Sequence, residues 1–88
     1  MKKIIVVCGN GLGSSMIVEM NAKALLKEMG REAEVTHTDL STAKTEQADI
    51  FIGSEDIVDK LAEVHPNVVK LKNLMDKNEL REALEANV

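Results

Sequence analysis

The sequence predicts an α/β domain built on a parallel sheet, and three features carry that prediction. Its apolar runs are continuous and rich in Ile and Val instead of alternating with polar residues, as strands buried on both faces require. Segments of helical period separate those runs. A loop containing Gly9, Gly11 and Gly13 joins the first run to the first helical segment.

Ile4 to Val7 forms the first strand, and a helix follows from about Ser14 or Ser15 to Met29, with Gly30 placed to close it in a left-handed C-cap. Ala33 to Thr38 is the second strand and Asp49 to Gly53 the third. Between them Asp39 to Gln47 must cross the second face of the sheet, with room for a helical turn. Ser54 reads as the N-cap of the next helix, with Glu55 and Asp56 in its first turn and Ile57, Val58, Leu61 and Ala62 at helical spacing until His65-Pro66 ends it. Val68 to Leu71 is the fourth strand. Asp76 and Glu79 have the spacing of a capping box, and Met75 with Leu80 that of a hydrophobic staple, for a last helix carrying Ala83 and Leu84 to about Ala86. Right-handed crossovers arrange this β-α-β-β-α-β-α order as a four-stranded parallel sheet ordered 2-1-3-4 with helices on both faces, a three-layer sandwich of Rossmann-like or flavodoxin-like type.

The 88 residues are read as a single domain, 1–88, with no repeat, linker or low-complexity segment. A net charge of −4, with scattered Lys and Arg, argues against a nucleic-acid partner, and one aromatic residue, Phe51, cannot supply a base-stacking platform. The lone Cys8 cannot form an internal disulfide, and a free thiol is expected in the cytoplasm. Met1-Lys2-Lys3 before Ile4 to Cys8 superficially resembles a secretion signal, but the apolar run falls short of the ~7–15 residues such a signal needs. No stretch approaches the ~18–20 apolar residues of a membrane span, so no direct membrane insertion is expected.

In open α/β sheets ligands gather beyond the carboxyl ends of the strands where the strand order reverses, and here that point is the end of the first strand. Cys8 stands there. The three glycines let backbone N–H groups converge without Cβ obstruction, and the helix after them adds free amides and a positive dipole end. Gly9, Asn10, Gly11, Leu12, Gly13, Ser14 and Ser15 therefore read as a phosphate-binding loop around a nucleophilic sulfur, which points to phosphoryl transfer through a phosphocysteine. The competing reading makes Cys8 a small buried hydrophobe ending a strand, with the glycines serving a tight turn.

Other glycine motifs fail on spacing. No lysine occurs in the loop before Lys23, which excludes a Walker loop, and a dinucleotide-binding G-x-G-x-x-G begun at Gly9 meets Ser14 where glycine is needed. A cysteine-phosphatase loop needs an arginine six residues after the nucleophile, which is Ser14 again. Without that guanidinium, or an evident group to activate water, a phosphocysteine should survive to be passed on, so a carrier is favoured over a small cysteine-dependent hydrolase. A non-catalytic nucleotide-binding or adaptor module is the third possibility.

The run Cys8-Gly9-Asn10-Gly11-Leu12-Gly13-Ser14-Ser15-Met16 after an N-terminal strand resembles the IIB components of the bacterial phosphoenolpyruvate-dependent sugar phosphotransferase system (PTS), most of all the ascorbate type, with galactitol and lactose/cellobiose types as further relatives. The element order and length agree over nearly the whole chain, whereas the specific motif is confined to residues 4–16. The resemblance implies that Cys8 accepts phosphate from a histidine of a IIA protein and passes it to a sugar, ascorbate- or galactitol-like, entering through a membrane IIC subunit. It implies no cofactor, and a cytoplasmic protein held near the membrane through IIC.

On the first helix, Val18, Ala22, Leu25, Leu26 and Met29 share one arc at about 100° per residue, which suits a core. Met16, Ile17, Met20 and Ala24 share another that begins beside the thiol. This second stripe is either adaptable docking surface for IIA and IIC or a second buried face of a small domain. His37, near the end of the second strand, is read as a surface or structural residue in preference to a catalytic one, and with one cysteine and two separated histidines no metal site is expected. The charges from Lys77 to Glu85 read as a solvated helix face.

Overall fold

A computed structural model of the chain describes residues 2–8 and 12–88, with the side chains of 12–15 excepted. Four strands, β1 (Lys2–Cys8), β2 (Ala33–Asp39), β3 (Ile50–Ser54) and β4 (Val68–Leu71), form one sheet in the order β2-β1-β3-β4 with every pairing parallel. Four helices connect and follow them: α1 (Leu12–Glu28), α2 (Leu40–Ala43), α3 (Glu55–Leu61) and α4 (Lys77–Asn87). The expected α/β topology is therefore the observed one, with α2 supplying the helical turn between β2 and β3.

Strand alternation divides the core into two layers. Ile4, Val6, Cys8, Ile50 and Ile52 pack in one cluster with residues of α1 and α4, whereas Ile5, Val7 and Phe51 pack in the other with Ala43 of α2 and Val58 and Leu61 of α3. Ile4, Val6, Val7, Phe51 and Ile52 are completely buried, and each such side chain contributes roughly 1.5–3 kcal/mol by leaving water.

Two glycines are demanded by the geometry. Gly30 has φ +69°, and its N–H donates to Lys27 while that of Arg31 donates to Leu26, the paired bonds of a Schellman stop for α1. A Cβ on Gly53 would meet the Val58 side chain and lie 2.9 Å from the Val7 carbonyl oxygen, so glycine lets α3 sit close on β3.

The remaining differences from expectation lie at element ends. β1 extends to Lys2 and Cys8, β2 to Asp39 and β3 to Ser54, while α1 begins at Leu12, before Ser14, and α4 reaches Asn87. The Asp76 carboxylate caps α4 by accepting from Asn78 and Glu79 N–H, but the capping box is only half formed. The Glu79 carboxylate accepts instead from the Lys72 and Asn73 amides at 2.7 and 2.9 Å, because the turn after β4 presents two unpaired donors to it. Met75 stays exposed and Leu74 takes the buried place beside Leu80, in place of the expected staple. Among the described residues no helix is long and apolar enough to cross a membrane.

Candidate functional site

Cys8 is the last residue of β1, at the carboxyl edge of the sheet and at the strand where the order reverses. Parallel register sets its neighbours. It pairs with Asp39 of β2, and on the other side it stands one step beyond the Val7–Gly53 pair, level with Ser54 of β3, which in turn pairs with Leu71 of β4. The thiol is 8% exposed and belongs to the core cluster that also holds Val6 and Val18. Gly9, Asn10 and Gly11, named from the sequence as phosphate-binding, lie outside the described residues. Leu12, Gly13, Ser14 and Ser15 form the first turn of α1, which contains no acidic residue.

Each neighbour in that row is held differently. The Asp39 carboxylate accepts from the Thr42 amide at 2.7 Å, a bond that caps α2 and keeps Asp39 below the ordinary carboxylate range. Ser54 has the extended backbone of an N-cap, yet its side chain makes no capping bond to α3, contrary to the role read from the sequence. The acids Glu55 and Asp56 in the first turn already complement that helix end.

The second stripe of α1 is surface. Met16 is 51% exposed, Ile17 47% and Met20 63%, and Ala24 is exposed with them, while Val18, Ala22, Leu25 and Leu26 are buried. A second buried face is thereby ruled out. A helix at the edge of a three-layer sandwich has one sheet to cover, and the arc opposite that sheet faces water.

Both histidines are tied to structure. His37 Nδ1 donates to Glu19 Oε1 at 2.9 Å, and Lys23 Nζ lies 3.4 Å from the other oxygen, so the ring joins β2 to α1. Burial works to raise the Glu19 carboxyl, but the hydrogen bonds from His37 and Lys23 and the charge of both outweigh it and hold Glu19 below its ordinary value. His65 stacks on Phe51 with ring centroids 4.3 Å apart, and its Nε2 donates to the Ala43 carbonyl at 3.1 Å. Among the described residues no three His, Cys, Asp or Glu side chains converge as metal ligands would.

An open groove of about 780 Å³ runs between the end of α1 and the start of β2, lined by Lys23, Leu26, Lys27, Arg31, Ala33 and Val35. It lies at the amino-terminal edge of the sheet, away from Cys8, and its size says nothing about the chemistry at the other edge.

Comparison with known proteins agrees with this architecture. The family model described as "PTS system, Lactose/Cellobiose specific IIB subunit" matches residues 3–86. The chain is also 37% identical to the "Ascorbate-specific PTS system EIIB component" of Mycoplasma pneumoniae, over 92% of this chain and 88% of that protein. A IIB subunit implies IIA and IIC partners in general, and a phosphotransferase role in sugar uptake. The chain belongs to the PTS IIB family.

Proposed function

We propose that this single-domain IIB subunit, residues 1–88, carries phosphate on Cys8 between a IIA histidine and a sugar of ascorbate type brought by a membrane IIC subunit. One observation carries the reading: Cys8 ends the central strand at the point of order reversal, directly ahead of a helix whose first turn carries no acid. Residues 9–11 and the first turn of α1, residues 12–15, bind the phosphate, with Gly9, Gly11 and Gly13 admitting the main-chain amides and Ser14 and Ser15 adding hydroxyl donors.

In the first step the sulfur attacks phosphorus, the phosphorus–nitrogen bond of the donor histidine breaks, and the thiol proton ends on the released imidazole. In the second, the sugar hydroxyl oxygen attacks, the sulfur–phosphorus bond breaks and the hydroxyl proton returns to sulfur. Amides aimed at the transferring group stabilise its charge in both. A hydrolase is not favoured, because the position where a cysteine phosphatase places its arginine is Ser14.

The sugar assignment follows the ascorbate-specific relative. The exposed Met16, Ile17 and Met20, continuous with the first turn of α1, are the docking surface for IIA and IIC. Such docking holds a cytoplasmic subunit near the membrane.

Incubation with phosphoenolpyruvate, the general phosphotransferase proteins and an ascorbate-class IIA tests the carrier reading by mass spectrometry. One phosphoryl group on the peptide containing Cys8, absent from Cys8→Ala, is the expected result. Phosphate elsewhere, or none, would falsify it.

A further inference from the structure

We propose that Ser54 binds the transferring phosphoryl group, its hydroxyl donating to phosphoryl oxygens on Cys8; the inference rests on the carrier reading of Cys8 given above. Register places it there. Ser54 stands level with Cys8 on the adjacent strand, one step beyond the Val7–Gly53 pair, and parallel strands run about 4.8 Å apart. Alternation puts Ser54 on the same face as Ile50 and Ile52, which pack in the cluster that contains Cys8.

The hydroxyl has no competing duty in α3. With φ −71° and ψ 147° Ser54 has the backbone of an N-cap, a position where serine ordinarily accepts from an amide two or three residues on, yet it makes no such bond. Asp39, on the opposite flank of Cys8, is bonded to Thr42, and Leu71 beyond Ser54 is buried hydrocarbon. Of the side chains that share this row with the sulfur, Ser54 is therefore the one able to donate to an anion.

Its place on another strand is what it adds. The amides of residues 9–15 continue the chain from Cys8, whereas a donor on β3 fixes the phosphoryl group about the Cβ–sulfur bond from a separate, rigid element. Charge lies on the same three phosphoryl oxygens when the group arrives from imidazole nitrogen and when it leaves for the sugar oxygen, so one donor serves both steps.

Ser54→Ala and Ser54→Thr, compared with the unmodified protein, provide the test. The rate of transfer from a phosphorylated ascorbate-class IIA to Cys8, the phosphorus resonance of the phosphocysteine and the melting temperature would be measured for each. Ser54→Ala should transfer about tenfold more slowly and move the resonance, with a melting temperature changed by no more than about 2 °C. Ser54→Thr, which keeps the hydroxyl, should recover the rate to within about threefold. Transfer at the original rate with an unmoved resonance overturns the inference while leaving the carrier reading intact. A fall in melting temperature of about 4–8 °C without change in transfer assigns Ser54 to capping and also overturns it. If the unmodified protein takes no phosphate on Cys8, it is the carrier reading that fails.

Discussion

Helices α1 and α3 both start at the carboxyl edge of the sheet, each directly after a central strand, yet their first turns are opposite in character. α3 opens with Glu55 and Asp56, while the first turn of α1 has no acid. The other two helices resemble α3, since α2 is capped by Asp39 and α4 by Asp76 with Glu79 in its first turn. Three helices thus bring their own negative charge to the partial positive charge at their amino ends, whereas the first turn of α1, the helix that follows Cys8, carries no acid. On the proposed carrier reading, the difference separates a helix end that complements its own dipole from one available to a transferred anion.

The comparison breaks most sharply if α1 is made to resemble α3. Ser15→Asp places a carboxylate in the first turn, where it should leave the helix as stable as before or strengthen it by about 0.3–1 kcal/mol. A phosphoryl group on Cys8 would then face a like charge. For two unit charges about 5 Å apart at an effective dielectric near 20 the repulsion is about 3 kcal/mol, so if the phosphoryl group sits at this helix end phosphorylation by IIA should slow by roughly a hundredfold. Ser15→Asn, of similar size without the charge, should stay within about tenfold of the original rate. Equal rates for both variants would show that the phosphoryl group does not sit at this helix end.

A smaller effect is expected on the exposed side of α1. Met20→Glu changes a residue that is 63% exposed, so stability should move by less than about 0.5 kcal/mol. If this face docks IIA as proposed, loss of the apolar side chain should nevertheless reduce the second-order rate of phosphorylation by IIA by about tenfold. Unaltered phosphorylation together with unaltered sugar transport would remove this face from the docking surface.

How much of this was legible in the sequence depended on whether a residue's role is local or shared. The strands of Ile and Val, the Gly30 stop and the 2-1-3-4 order follow from patterns within each segment and from crossover handedness, and they are the observed ones. The spacing of Glu79 predicts a capping box, but its partners, the Lys72 and Asn73 amides, belong to a turn whose free donors a linear spacing rule does not register. Ser54 differs from its sequence expectation for a similar reason. Residue type, backbone and a place at the same sheet edge suit an N-cap, and the missing capping bond together with the register across β1 and β3 sets Ser54 level with Cys8. The exposure of Met16, Ile17 and Met20 likewise depends on how many sheets a helix must cover, a property of the layers and not of the stripe.

The comparison is sharpened from the other side by removing the charges of α3 in Glu55→Gln combined with Asp56→Asn. Both residues are exposed, and each should contribute about 0.3–1 kcal/mol through the helix end. The double variant should melt a few degrees lower at low salt, and the difference should shrink as salt screens the dipole. Phosphorylation of Cys8 should remain within about twofold, because these side chains lie in the turn after Ser54 and complement α3. A tenfold change in transfer rate would mean that the acids of α3 act on the phosphoryl group directly, and the amino ends of α1 and α3 would then form one electrostatic site instead of two with separate duties.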